Sequence, residues 1–410
     1  MSRFNTFTQH PLIPNSQEYI LEKKYVSIHS EDRDLLKFPN SAEFEIELPQ
    51  DYCNVSTVKL STWTFPSNYN VFSIYADNLV LLVKFSNLYN PSDHGYTNEL
   101  QIQIYNYLNS YKNFLGIPEF LVTIQPGFYT PQQMNVELQN RLNNVISSYL
   151  LTSLQDYDNT HGTTLEQQFI DSGYYSEFVV VYNEVEQNLW FGNRSSGFTF
   201  TLSNANTQNT LANSACSLYG GVLQDDSNWG LLSFLGFNKC PITSSDISDT
   251  NQIRFYFGSV YPGDNGYWLT SNSSLPGAIA SYIRAPNKLN NMGPAYFYME
   301  IDGLNCMDET SPYAYNNYTA TTNNTNGVVN SAFAKIAITT TPLSQWFDNA
   351  ADSYKFFNPP AERIRKLKIR MRYHNNLLVN FGQFNYSFTL EFSMLTPQNK
   401  KNMVVFNSYN

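Results

Sequence analysis

Strict alternation of apolar and polar residues is the feature that most limits the fold of this chain. A period of two residues puts alternate side chains on opposite faces of a half-buried strand. The segment SAEFEIELP shows it cleanly, with Phe44, Ile46 and Leu48 alternating with Glu43, Glu45 and Glu47. Further strands are predicted in VKLSTWTFP, NLVLLVKF, AYFYMEIDGL, RIRKLKIRMRY and FTLEFSML. The chain is therefore predicted to be rich in strands.

Composition favours the same architecture. Charged residues make up 14% of the 410 residues and aromatic residues 16%, whereas about a quarter of a typical globular chain is charged. Asn, Ser, Thr and Gln take the place of the missing charges, and this mixture suits strands and polar loops better than helices. Many strands joined by long polar connections predict a mainly β chain, a jelly-roll β-sandwich.

One segment switches to a helical period. In TPQQMNVELQNRLNNVISSYL, Met134, Leu138 and Leu142 fall on one helical face. Thr130 and Gln133 have the spacing of a capping box around Pro131 at the first helical position. With a strand before it and two strands after it, this helix predicts a small inserted α+β module of the order strand-helix-strand-strand.

These patterns predict five segments along the chain. Residues 1–22 and 396–410 are polar and are expected to be extended terminal arms. Residues 23–115 and 251–395 are expected to form the two parts of the jelly-roll β-sandwich, with the inserted α+β module at 116–250.

Charge and cysteine usage exclude some classes of protein. The net charge of −10 argues against a protein that coats nucleic acid, and there is neither a secretory signal nor an apolar run of about 18 residues. The four cysteines form no CxxC pair, and we interpret them as buried free thiols of a protein assembled in a reducing compartment, with distant disulfides left open. They are Cys53, Cys216, Cys240 and Cys306.

The sequence gives little sign of catalytic chemistry. Its five histidines show no HxH, HxxxH or HExxH spacing, and phosphate-binding and nucleophile-elbow motifs are missing. The sequence leaves open whether two carboxylates are paired for glycoside hydrolysis, because such a pair is defined by its spacing in three dimensions. We predict no catalytic residue, no metal site, no cofactor and no small-molecule substrate.

The sharpest charge feature is the segment RIRKLKIRMRY. Its apolar residues alternate with cations, and like charges along one strand repel, so a counter-charge is required. The favoured candidate is the acidic row Glu43, Glu45 and Glu47, in the same subunit or in a neighbour; the other is a polyanion, either nucleic acid or lipid headgroups. The cations are Arg363, Arg365, Lys366, Lys368, Arg370 and Arg372.

A second charged cluster follows the first strand, in YVSIHSEDRD. His29 has no second histidine or cysteine near it in sequence, and Arg33 stands between Asp32 and Asp34. We expect the Arg33 guanidinium to donate hydrogen bonds to a carboxylate or to backbone carbonyls, and so to hold the first strand to the sheet.

The order of these segments resembles the minor capsid proteins of large icosahedral DNA viruses of algae and amoebae. The similar stretches are YVSIHSEDRD with PNSAEFEIELPQDYCNVSTVKLSTWTFPSNYNVFS, IQPGFYTPQQMNVELQNRLN, VVVYNEVEQNLWFGN, LLSFLGF and PPAERIRKLKIRMRYHNNLLVNFGQFNYSFTLEFSML. Within them, His29 stands where the family has an acidic residue, and Asn375-Asn376 stands where a glycine turn is usual.

The resemblance implies a jelly-roll protein of the virion, assembled in the host cytoplasm, without catalytic activity. It would contact the major capsid protein and other minor capsid proteins, as a homo-oligomer or through lattice contacts. The segment 363–372 is a candidate contact to the genome or to an inner membrane. The alternative is a vertex (penton) or attachment β-sandwich protein that binds host carbohydrate.

Overall fold

Antiparallel strands dominate the computed structural model. It describes residues 19–66, 71–74, 78–114, 119–201, 230–237, 242–247, 267–291, 293–310, 330–338, 345–348, 353–374 and 376–397. The strands are β1 (Tyr19–His29), β2 (Glu43–Pro66), β3 (Val80–Phe85), β4 (Phe120–Thr123), β5 (Phe178–Asn183), β6 (Asn188–Asn193), β7 (Phe198–Thr201), β8 (Ile242–Thr243), β9 (Ser245–Asp246), β10 (Ser281–Arg284), β11 (Tyr296–Ile301), β12 (Met307–Glu309), β13 (Asn330–Ala332), β14 (Ala334–Ala337), β15 (Gln345–Asp348), β16 (Tyr354–Arg372) and β17 (Ser387–Pro397). The α-helices are α1 (Glu99–Phe114), α2 (Pro131–His161), α3 (Leu165–Asp171) and a single turn at Leu231–Phe234. None of these helices is long and apolar enough to cross a membrane.

Packing divides the chain into two units. The first comprises Met1–Tyr69 and Pro294–Asn410, and the second comprises Asn70–Gly293. The second unit is wider on both sides than the predicted insertion of 116–250. The reason is that β3 and α1 bury their apolar side chains in the same core as α2, rather than in the core of the first unit.

The first unit is built on one antiparallel sheet in the order β1-β17-β2-β16-β11-β14, with β15 also paired to β2. Strand β2 pairs with β17 and β16 and is 24 residues long, where the sequence suggested two separate strands. Asn54 has a positive φ of 52°, and the register with both neighbours shifts close to it. This irregularity bends β2 without ending it.

The sheet rolls back on itself. Phe65 at the end of β2 stacks edge-on against Phe297 of β11 with ring centroids 5.0 Å apart, although β11 joins the sheet beside the opposite end of β2. In a flat sheet these rings would lie roughly 70 Å apart at 3.3 Å per residue. The two halves therefore face each other across an aromatic core, which confirms the predicted mainly β, jelly-roll type of β-sandwich.

The second unit combines two four-stranded antiparallel sheets, β4-β3-β7-β8 and β5-β6-β10-β9, with the helices. The predicted start of α2 is confirmed, because Thr130 and Gln133 form a capping box and Pro131 is the first residue. Further along α2, Arg141 Nε lies 2.7 Å from Glu137 Oε1, four residues earlier. The LLSFLGF segment packs into the same core.

Two helical regions differ from the sequence prediction. Helix α1 was not predicted, and the residues that follow the predicted helical segment continue α2 to His161 and then form α3. Leu150 and Leu154 extend the buried face of α2 by two turns. Gly162 then ends the helix in the left-handed conformation, with φ 67°.

The predicted arms lie mostly outside the described residues. Their described parts, 19–22 and 396–397, are not arms but the ends of β1 and β17. Ile20 and Leu21 are half-buried and lie opposite Thr396 and Leu395. This pairing makes β1 six residues longer at its start than its apolar pattern from Tyr25 indicated.

A buried carboxyl interrupts the core of the second unit. Glu177 is 8% exposed; its Oε1 accepts a 2.6 Å hydrogen bond from Asn272 Nδ2, and its Oε2 has no hydrogen-bond partner among the described residues. Burial raises the pKa of Glu177, against the lowering effects of the Asn272 hydrogen bond and of the Arg194 charge. Glu177 therefore keeps its proton to a higher pH in the folded protein than an exposed glutamate does.

We predict that Glu177→Gln makes the protein relatively more stable as pH rises. A carboxyl with a raised folded-state pKa contributes its full stability below the unfolded pKa and loses it as pH rises through the folded pKa. Urea unfolding of both proteins between pH 4 and 8 measures the difference. Glu184→Gln, at an exposed position, is the control with the same charge change; equal pH profiles for the three proteins would contradict the prediction.

Candidate functional site

The basic segment and the acidic row face each other in one sheet. We call them the charged strip, which comprises the six cations of β16 and Glu43, Glu45 and Glu47 of β2. The antiparallel register places Lys366 opposite Glu47, Lys368 opposite Glu45 and Arg370 opposite Glu43. Directly opposite residues of paired strands project to the same face. The favoured counter-charge of the basic segment is thus present within the same subunit.

The solvent-exposed half of the charged strip forms a ladder of ion pairs. Arg365 Nε lies 3.1 Å from Glu47 Oε1, and Lys366 Nζ lies 3.4 Å from Glu45 Oε1. Beyond them, Arg363 is 3.5 Å from Asp51. Exposed pairs of this kind stabilise a protein by only about 0–1 kcal/mol each. These ion pairs neutralise the charges on this face of the sheet. They also favour the observed register between β2 and β16.

Towards the end of β16 the cations become progressively less exposed, from Lys368 through Arg370 to Arg372. Lys368 lies 4.0 Å from Asp302, and Arg370 lies 3.5 Å from Glu300. Arg372, the last residue of β16, is only 2% exposed. Each of the six cations thus has a carboxylate oxygen within 4.0 Å.

Arg372 is the centre of a buried ionic cluster. Its Nε donates to Glu300 on β11, and its two terminal nitrogens donate to the two carboxylate oxygens of Glu309 on β12. His374 Nδ1 lies 3.2 Å from the same Glu309 carboxylate. The guanidinium also lies 5.2 Å from the ring centroid of Tyr298. One side chain thereby joins β11, β12 and β16.

The electrostatics of Arg372 are dominated by its two carboxylates. Burial alone would lower the pKa of its guanidinium, but the hydrogen bonds to Glu309 and Glu300 outweigh it and raise the pKa. The cation is therefore fixed in its charged state. A bidentate pair between buried groups is geometrically specific, and it leaves neither charge without compensation.

The Arg33 loop, residues 30–42, is held by the contacts expected of that arginine. Its guanidinium donates to three backbone carbonyls: Nη1 to Ser30 at 2.5 Å, Nε to Phe38 at 3.0 Å and Nη2 to Pro39 at 3.3 Å. Asp34 Oδ1 accepts from the amides of Leu36 and Lys37. Asp32 lies exposed in the 3-10 turn Ser30–Asp32 and takes no part in these bonds.

Tyr386, which the sequence did not indicate, fastens this loop to the sheet. Its backbone amide donates to Ser30 Oγ at 2.9 Å, and its hydroxyl donates to the Ser41 carbonyl at 2.7 Å. Burial raises the pKa of this phenol, so the hydroxyl stays a donor. Glu300 and Glu309 were also missed. The sequence does mark Glu300, which is the first charged residue after the apolar run AYFYM. No comparable pattern marks Glu309.

Among the described residues, no group of three or more His, Cys, Asp and Glu side chains could hold a metal ion. His29 lies beside Ser27 at 3.1 Å. Cys53 and Cys306 are free and exposed, so the prediction of buried thiols is wrong for both, because they lie in irregular or short strand segments at the surface. Cys216 and Cys240 lie outside the described residues.

We predict that Arg33→Ala lowers the free energy of unfolding by about 1–3 kcal/mol, because the charge-assisted bonds to the carbonyls on both sides of the loop are lost. Arg33→Lys should not restore it, since an ammonium does not reproduce the guanidinium fork. Chemical denaturation measures both, with the exposed Lys37→Ala as control. A loss no larger than that of Lys37→Ala would show that the loop does not need the arginine.

Arg372→Met should cost about 3–5 kcal/mol, because it leaves Glu309 buried without its cation. The matched control Lys368→Met removes a charge from the exposed part of the same strand and should change stability by no more than about 1 kcal/mol. Denaturant unfolding compares the two. Adding Glu300→Gln and Glu309→Gln to Arg372→Met should recover part of the loss; a triple variant weaker than the single one would contradict this account.

No family model matches the sequence, and no curated protein matches it. Among solved structures, the chain is similar to the penton protein of mavirus, at 7% identity over 91% of this chain and 100% of that chain, with a TM-score of 0.35. It is also similar to a chain of the Sputnik virophage structure solved by cryo-EM, at 11% identity over 91% of this chain and 98% of that chain, with a TM-score of 0.37. Both scores lie below the range in which structural likeness supports a shared role.

Proposed function

We propose that the protein is a structural virion protein, a minor capsid protein that supports major capsid capsomers through protein–protein contacts. It would contact the major capsid protein and other minor capsid proteins, and would be assembled in the host cytoplasm. One observation supports this most directly. The segments that resemble minor capsid proteins at the two ends of the chain form one continuous part of the sheet, β1-β17-β2-β16.

The outer face of this four-stranded region has the composition of a contact surface. Tyr25, Glu391, Lys59 and Tyr354 lie opposite one another across β1, β17, β2 and β16. Tyr25 and Tyr354 are more than half exposed, as is Phe356 two residues further along β16. Aromatic residues are enriched at protein interfaces, and here they flank the oppositely charged Glu391 and Lys59 at the centre of the row. This face is the one that we assign to capsid contacts.

The geometry gives no comparable support to a contact between segment 363–372 and the genome or an inner membrane. Every cation of that segment already has a carboxylate within 4.0 Å. A polyanion would have to displace those carboxylates, including the pair that Arg372 makes in the interior. Counter-ion release, which drives binding to nucleic acid, needs cations that are free to neutralise phosphates.

Mass spectrometry of gradient-purified particles from cells infected with the virus that encodes this chain tests the proposal. We expect the chain in the particles, at a constant ratio to the major capsid protein after nuclease and detergent treatment. Tyr354→Ser with Phe356→Ser should reduce its incorporation, while Ile74→Ser, at an exposed apolar position in the second unit, should not. Exclusion of the chain from the particles would overturn the proposal, and glycan binding that depends on the same two aromatics would replace it with the attachment alternative.

A further inference from the structure

A short irregular segment of the second unit is attached to the buried carboxyl of Glu177. We call it the strap; it comprises residues 270–278, which form neither helix nor strand. Of its side chains, only that of Leu275 is buried. Segments with few buried apolar contacts are those that open locally while the rest of a protein stays folded. The strap is therefore a segment in which local opening is expected.

The strap is attached to Glu177 through Asn272. The Asn272 side-chain amide donates to Glu177 Oε1 at 2.6 Å, and its backbone amide donates to the Arg194 carbonyl at 3.0 Å. Arg194 Nε in turn donates to the Thr270 carbonyl at 3.4 Å. Asn272 Oδ1 accepts from the Ser274 amide at 2.9 Å. One side chain thus orders the turn of the strap and ties it to the buried carboxyl.

Two tyrosines hold the strap beyond Asn272. The Tyr96 hydroxyl donates to the Ser274 carbonyl, and the Tyr89 hydroxyl donates to the Pro276 carbonyl at 2.9 Å. Phenols titrate near pH 10, and burial raises the pKa of Tyr89 further. These two bonds therefore stay the same in the pH range in which a glutamate titrates.

Tyrosines from two further elements face the Glu177 carboxyl. They are Tyr105 of α1 and Tyr175, which precedes β5; burial raises the pKa of both phenols, and the nearby Glu177 charge raises it further. The Tyr105 hydroxyl donates to Ser195 Oγ at 2.8 Å, and the Tyr175 hydroxyl accepts from Asn193 at 3.0 Å. Because both phenols remain neutral, Glu177 is the member of this cluster that changes charge between weakly acidic and neutral pH.

The ionised carboxyl is incompletely compensated in the closed structure. Its Oε2 is buried and has no hydrogen-bond partner among the described residues. The Asn272 hydrogen bond and the Arg194 charge lower the pKa of Glu177 by less than burial raises it. A buried carboxylate is costly, whereas the same group exposed to water is hydrated. Ionisation of Glu177 thus favours any state in which water reaches it.

We propose that Glu177 is a pH-sensitive latch, which holds the strap closed while it is protonated and releases the strap when it ionises. In the open state, water replaces Asn272 at the carboxyl. The open state then binds fewer protons than the closed state between pH 4.5, the ordinary pKa of a glutamate, and the higher pKa of the closed state. Opening becomes more favourable as pH rises through this interval. The latch does not depend on the virion role proposed above.

Hydrogen exchange of the full-length protein, measured by mass spectrometry at pH 5 and pH 8, tests the latch. In the closed strap the Asn272 amide donates to Arg194, and the amides of Leu275 and Ala278 each donate to the carbonyl three residues earlier. After correction for intrinsic exchange rates, protection of these amides should be about tenfold lower at pH 8, the factor that a difference of one in pKa produces. In Glu177→Gln it should be equal at the two pH values, because the side-chain amide is uncharged and still offers Asn272 an acceptor.

Two variants separate Glu177 from other titrating groups. Glu184→Gln removes an exposed carboxylate and should keep the wild-type pH dependence. Histidine is the side chain that usually titrates near neutral pH, and the His94 ring lies against Gly277 of the strap with no room for a Cβ between them. His94→Gln should also keep the wild-type pH dependence. The amides of α2 should be far better protected than those of the strap at both pH values, which distinguishes opening of the strap from global unfolding.

A wild-type strap that is equally protected at pH 5 and pH 8 would overturn the proposal. A pH dependence that persists in Glu177→Gln, or that disappears in His94→Gln, would assign the effect to another group and would overturn it as well. Equal protection of the strap and of α2 would show that the strap opens only when the whole unit unfolds, and the latch would then not exist.

Discussion

The register between β2 and β16 is the constraint on which the first unit depends. Where Glu43–Glu47 pairs with Lys366–Arg370, apolar residues that face the core alternate with glutamates on β2 and with cations on β16. A slip of one residue would turn Leu367 and Ile369 to water and move the glutamate row inward. Apolar burial and charge pairing therefore specify the same register. The ion pairs add little free energy but remove the nearest competing arrangement.

The rolled sheet explains where the buried charges lie. Because β2 bends near Asn54 and continues, its two ends approach the same aromatic core, and β11 closes that core from the side of β16. Arg372 stands at the end of β16, where the three-residue strand β12 has too little apolar surface of its own to be held by packing. A bidentate ion pair positions Glu309 there with an accuracy that a methyl contact does not provide. Apolar residues of equal volume would stabilise the end of β16 as well as the ion pair does, or better. The ion pair therefore contributes to the specificity of the strand arrangement more than to its stability.

Features of the fold that depend on a few neighbouring residues could be predicted from the sequence. Features that depend on tertiary contacts could not. The faces of β2 and β16 and the start of α2 were predictable, because alternation and a capping box are properties of a few neighbouring residues. The continuity of β2 was not, since QDYCN resembles a turn in sequence and is held in the strand only by its neighbours. Helix α1 was hidden by its Asn and Tyr content; Leu100, Ile104 and Leu108 form its buried stripe only in the presence of α2. Glu309 lies 63 residues from Arg372, and no local pattern connects them.

The charged residues of the SEDRD cluster were the most conspicuous part of the loop, yet most of their hydrogen bonds are internal. Arg33 and Asp34 bond to the backbone of their own loop, and the strip on β16 is neutralised within the sheet. Because the charges of this surface are already paired, a partner would be held by short-range apolar contacts and not steered by electrostatic attraction. Copies that each carry a net charge of −10 repel one another at a distance. Salt screens that repulsion and leaves apolar contacts intact, so association of copies through exposed apolar residues should strengthen, not weaken, as ionic strength rises.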